Sequence, residues 1–246
     1  MRRTTLVKKG IEAERDFTWR GGDVSRIESL SDAVFAFSLT LIVVSLEVPG
    51  SFAEFKTTLA GFGGFAFSFA LLLLIWHSHF IFFRRYGMED GVTMALNAVL
   101  LFLVLFYIYP LKFLSSLLAS TYLGTAGLSF NDMTHADSQT FMILYSLGLM
   151  AVFFTLGVLY WHAWRQRDEL GLDALERYDT VTSIQYHGIY VVWAALSVGL
   201  ALLGGFWIFV SGIMYSLIGF AFWGHGYARG KRREPIKAAV LAERES

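Results

Sequence analysis

Arg26, Ser31 and Asp32 stand at the mouth of RIESLSDAVFAFSLTLIVVSLEVP, residues 26–49, a segment otherwise apolar and of membrane length. An ionisable side chain at the edge of hydrocarbon costs free energy. Such an acid therefore serves as an ion ligand or proton relay, or it is held as an anchor by packed polar partners. Partners of suitable chemistry lie at matching depth on later segments: Asn97, His77 and Trp76, whose indole N–H can donate. Arg26 is placed to close on Asp32 as a charge-assisted pair. At about 100° per residue, Phe37, Thr40, Leu41 and Val44 share one narrow helical face, continued by Ala33 and Val48, while Asp32 lies roughly 140° from Phe37. Because the acid points away from the stripe, the anchor is the favoured role. The stripe, apolar except for one hydroxyl, fits a helix–helix or lipid contact, or a pore lining that gates by a hydrophobic constriction. Periodicity leaves both open. Glu47, about 80° off the stripe at the far end, is either a solvated interfacial acid or part of a ring that concentrates cations at an outer mouth.

The elements that must position these side chains follow from composition. Hydrophobic residues make up 55% of the 246 positions and aromatics 17%, gathered into runs too long for a soluble domain of this size to bury. Six runs approach the length of a helical span: 30–48, 58–83, 93–117, 138–162, 186–204 and 206–224. They predict an all-α membrane protein, a six-helix bundle whose fifth and sixth spans meet at Gly204-Gly205. Pro49-Gly50, then Gly87 with Glu89 and Asp90, then a polar stretch from Ser120 to Asp137 mark the breaks.

Lys and Arg set the orientation. Eighteen of the twenty fall in the N-terminus, the loops after the second and fourth spans, and the C-terminus, leaving Lys56 and Lys112 opposite. The positive-inside rule then predicts an even number of spans with both termini cytoplasmic. The zero net charge hides this asymmetry and gives no sign of a nucleic-acid partner; the basic ends are topology signals beside anionic lipid. The division expected is a cytoplasmic N-terminal segment at 1–25, a transmembrane domain at 26–227 and a cytoplasmic tail at 228–246. The two ends are read as polar and mobile, with Lys237 to Glu243 able to form a surface helix. A long charged leader before the first apolar run argues against a cleavable signal peptide. The chain has no cysteine, hence no disulfide, thiol chemistry or thiolate metal site.

Arg26, Leu30, Ser31 and Asp32, followed by AVFAFSLTLIVVSLEVP, resemble the R-x-x-x-F-S-D signature and pore helix of the transmembrane protein 175 family of potassium channels. WHSHFIFFRRY in the second span and LNAVLLFLVLFYIYPLKF in the third look like that family's matching segments, so the likeness covers roughly residues 24–118. The resemblance implies a homotetramer in the bilayer. Four copies of the first helix would surround a pore for monovalent cations, with no T-V-G-Y-G loop, no resident cofactor or metal, and potassium as the permeant ion. It also implies a seal at Phe37, a hydroxyl layer at Thr40, a further apolar layer at Val44, and an Arg26, Ser31 and Asp32 network facing Trp76, His77 and Asn97. Two positions depart from the pattern: Leu30 replaces the signature Phe, and Phe37 replaces the usual aliphatic seal residue.

Other functions have weaker support. Five of the six histidines lie near helix ends, which suggests a haem or metal site, but His77 and His79 are about 200° apart and cannot face one ion. A proton-coupled secondary transporter could use one buried acid, yet no internal repeat and no paired broken helices are evident. No H-E-x-x-H or G-x-S-x-G motif supports an enzyme.

Overall fold

A computed structural model describes residues 16–22, 24–44, 50–124 and 128–245. Among these residues seven α-helices follow one another: α1 (Arg26–Val44), α2 (Phe52–Tyr86), α3 (Gly91–Leu123), α4 (His135–Arg165), α5 (Ala174–Leu203), α6 (Phe206–Ile213) and α7 (Ile218–Glu245). Five stretches among the described residues are long and apolar enough to cross a membrane: 62–86, 91–122, 135–165, 174–203 and 206–242. With α1 cut off at Val44 by the end of its described residues, the chain is an all-helical integral membrane protein.

Helix starts are written in short polar signals. Asp90 caps α3 by accepting from the Val92 and Thr93 amides, and Thr134 caps α4 through the Asp137 amide. Asp173 and Glu176 form a capping box at the start of α5. Helix α5 thus starts twelve residues before the fifth span expected from hydropathy. The polar run ALERYDTVTSIQ hides the helix from an apolar count, but its side chains bond to other parts of the chain instead of facing hydrocarbon. Gly204 and Gly205 both take positive φ, +71° and +55°, so the turn joining α5 to α6 falls where glycine alone bears no Cβ penalty.

The sixth span is interrupted. Helix α6 passes through a tight 3-10 turn at Met214–Leu217 into α7, and the Trp193 indole donates to the Met214 carbonyl at 2.9 Å. Nor does a mobile tail begin at 228: α7 continues through Pro235 to Glu245. Arg229 stacks over the Tyr178 ring and bonds to Thr182, and Arg233 pairs with Asp179 on α5. Helix α2 runs unbroken through Gly61, Gly63 and Gly64. Gly64 lies where α2 crosses α3, and a Cβ there would collide with the Ser115 backbone.

Among the described residues α4 packs most extensively on α5, α3 links α4 to α2, and α1 lies mainly against α2 and α3. Phe82, Phe83, Leu100, Leu111, Val152, Phe153 and Leu156 form part of the continuous core, each at most 1% exposed.

The N-terminal segment is packed over the part that the structure describes. Phe17 is buried against Tyr86, and Asp16 meets Arg233 at 3.1 Å and Lys237 at 2.8 Å. Burial alone would raise the Asp16 carboxyl, but hydrogen bonds from Lys237 and Arg233 outweigh it and hold the group below the usual carboxylate range. A depressed folded-state value stabilises the fold above the unfolded-state value, and that contribution disappears as pH falls through the folded one. Thermal melting of the purified protein should therefore drop on acidification below the carboxylate range. Asp16→Asn should flatten part of that slope, and a slope identical to the parent would count against the assignment.

Candidate functional site

Helix α1 has two unlike sides. Ser31, Phe35, Ser38 and Ile42, at steps of four, three and four, are buried against α2 and α3. Ala33, Ala36, Phe37 and Thr40 form the opposite side and are exposed in the single chain, Phe37 to 57%. Leu41 does not share that open face: it is half-buried and packed on the core, because one residue beyond Thr40 carries it about 100° toward the bundle. Val44 ends the helix with its side chain, like all of Glu47, Val48 and Pro49, outside the described residues. The Thr40 hydroxyl donates to the Ala36 carbonyl at 3.0 Å. Its proton is thereby committed to its own helix, and the oxygen offers only lone pairs outward.

The buried side is fixed by a directional chain of hydrogen bonds. Ser31 Oγ, wholly buried, donates to the Ile27 carbonyl at 2.8 Å and can then only accept from Asn97 Nδ2 at 2.9 Å. Asn97 Oδ1 is left to accept from His79 Nε2 at 2.9 Å, which puts the imidazole proton on Nε2. Ser31 lies five residues into α1, Asn97 six into α3 and His79 seven before the end of α2. At 1.5 Å per residue all three share one depth, about 8–10 Å inside their helices.

The partner on α2 is His79 and not His77. The buried face of α2 runs through Leu72, Ile75, His79, Phe82 and Tyr86, at helical spacing, whereas His77 is exposed. The phase of His79 with that apolar stripe was the signal available in the sequence. Arg26 is also displaced from its expected role. It is exposed and makes no hydrogen bond or ion pair among the described residues. The arginine with partners at the base of α1 is Arg84, 3.9 Å from Glu28 and bonded to the Gly22 carbonyl at 3.0 Å.

Asp32 and Trp76 do meet. The indole Nε1 donates to Asp32 Oδ1 at 2.8 Å, at the polar end of an open groove between α1 and α2 whose other walls are Phe35, Ala36, Leu39, Leu72 and Leu73. Trp76 stacks in turn on Phe80. Among the described residues no group of three His, Asp or Glu side chains is arranged to hold a metal ion.

Residues 26–107, from the first turn of α1 to the middle of α3, match the family described as endosomal/lysosomal potassium channel TMEM175. A protein of Marivirga tractuosa named as a potassium channel is 39% identical over 175 residues, covering 69% of this chain and 71% of its own length. The chain belongs to the TMEM175 family. A potassium channel of Chamaesiphon minutus is 27% identical across 71% of this chain and 84% of that relative. In three dimensions the chain is similar to the crystal structure of the potassium channel MtTMEM175, in a variant bound to a nanobody fusion, with a TM-score of 0.78 and 34% identity over 87% of this chain and 97% of that one. The crystal structure of a lysosomal potassium-selective TMEM175 homologue from Chamaesiphon minutus superposes with a TM-score of 0.53 at 23% identity and supports the fold. TMEM175 is a family of potassium channels and not of enzymes. The TMEM175 match covers the three helices that carry the α1 network and stops before α4.

Proposed function

We propose that this protein is a potassium-preferring cation channel in which four copies gather around a central axis and α1 of each lines the pore. The observation that carries this reading is the division of α1. A wholly buried hydrogen-bonded side locks it to α2 and α3, and the Ala33, Phe37 and Thr40 side is left without cover in the single chain. Six spans, counting α6 and α7 as one, bring both basic termini to the cytoplasmic side in keeping with the charge distribution. Phe37 supplies a hydrophobic constriction where water and ions are unstable until the helices rotate or splay. Thr40, with its proton turned to Ala36, presents an oxygen that a partly dehydrated cation can use. Potassium is the permeant ion and no resident cofactor is needed.

Planar-bilayer recording under a potassium gradient tests the reading. Ohmic unitary steps reversing near the potassium equilibrium potential are expected. Saturable, substrate-stimulated exchange without unitary steps would replace the channel with a proton-coupled carrier acting through Asp32.

A further inference from the structure

The segment 16–22 lies across the polar ends of α2, α5 and α7 and the turn between α4 and α5, and α1 begins only four residues after it. Phe17 fills the space under Tyr86, with the Arg85 guanidinium 4.8 Å from its ring centroid. The Thr18 amide and the Arg20 guanidinium both bond to Glu176, a carboxylate 1% exposed at the start of α5, at 2.7 and 2.6 Å. Arg20 also donates to the Leu170 and Gly171 carbonyls in the turn before α5. At the other end Asp16 is clasped by Arg233 and Lys237 of α7, and the same Arg233 binds both oxygens of Asp179 on α5 at 2.8 Å. Gly21 and Gly22 are tied to Arg84 at the end of α2. Among the described residues the main packing partners of α1 are α2 and α3, and this strap reaches on to the distant helices α5 and α7.

We propose that the strap is a coupling element. Through the Arg20–Glu176 and Asp16–Arg233–Lys237 pairs, the polar end of α7 and the start of α5 set the position of the base of α1, so that moving α7 changes conduction. This rests on the channel reading for its functional consequence and on the ion-pair geometry for the mechanical one. It gives the C-terminal helices a regulatory role, since Arg233 joins α5, α7 and the strap at one guanidinium. A segment held by charge pairs at Asp16 and Arg20 and by the buried Phe17 ring between them is suited to transmit small displacements to α1, which begins six residues after Arg20.

The absence of cysteine allows Ala36→Cys, on the uncovered side of α1, to serve as the single thiol. Its maleimide labelling rate and potassium flux from proteoliposomes are compared in the background of Arg233→Gln and of Lys237→Gln, with Arg229→Gln as a control that removes other α7–α5 bonds but leaves α7 held by Arg233–Asp179 and every strap pair in place. Both test variants should shift labelling and flux by about threefold or more, with the control within about twofold of the parent, as expected for loss of a partly exposed ion pair. Labelling unchanged in a variant that still elutes as the parent oligomer overturns the coupling, whatever the flux does. Should Arg233→Gln fail to fold, Lys237→Gln, on a side chain 31% exposed, decides the question alone. A parent that labels normally but passes no potassium refutes the channel reading instead, and the labelling comparison still judges the strap.

Discussion

Phe37→Ala is expected to raise resting potassium leak through reconstituted protein at least tenfold. In the proposed tetramer four Phe37 rings would converge on the symmetry axis as a throat in which a hydrated ion finds no polar partner, and the barrier would be the cost of wetting it. Each ring removed takes away apolar surface worth about 1.5–3 kcal/mol when buried, whereas about 1.4 kcal/mol of barrier is enough for a tenfold change in rate. The open exposure of Phe37 in the single chain means that its truncation opens no cavity in the core of the bundle, so folding should be preserved. Flux of potassium-loaded vesicles, measured with and without a protonophore, reads the leak. Parental flux from an intact oligomer would remove Phe37 from the gate, and a raised leak that keeps its cation preference would place selectivity at another layer, with Thr40 the nearest hydroxyl.

Asn97→Leu should give the largest loss of stability among single changes near α1. The amide donates to Ser31 and accepts from His79, so leucine leaves the His79 N–H, at 1% exposure, with no acceptor. An orphaned buried polar group costs roughly 1–3 kcal/mol, and in a chain of this length each kcal/mol lowers Tm by about 2–4 °C. Ser31→Ala should be milder, because Asn97 keeps its bond to His79. Melting in detergent and the fraction eluting as the oligomer check both. Since the network lies on the side of α1 away from Phe37 and Thr40, channels that survive should keep the parental reversal potential. An Asn97→Leu protein that melts like the parent would show that this network does not hold α1.

Much of the candidate site was legible before any fold was known, and the limits were physical. Trp76 on Asp32 and Asn97 on Ser31 follow from residue chemistry and depth, since helices of fixed rise bring polar groups to matching heights. Azimuth is another matter. His77 and His79 lie at nearly the same depth, and only the way α2 rolls against α3 decides that His79 turns inward and His77 outward. Leu41 turns from the open face for the same reason, because one residue of phase on α1 carries it against the core. The polar starts of α5 and the end of α7 were obscured by a different cause: hydropathy detects burial in lipid, and these turns are stabilised by capping and ion pairs.

Taken by itself, the sequence determined the solvent, the order of the apolar spans, the Gly204-Gly205 turn, the family signature and the chemical types present at the base of α1. Those are properties of composition, length and local backbone preference, which act within a few residues. The tertiary structure alone decided which histidine closes the α1 network, that Arg84 rather than Arg26 has partners at the base of α1, and that residues 16–22 bind α7 more than two hundred positions away. Such choices depend on helix rotation and long-range charge pairing, and neither leaves a period or a spacing in the chain.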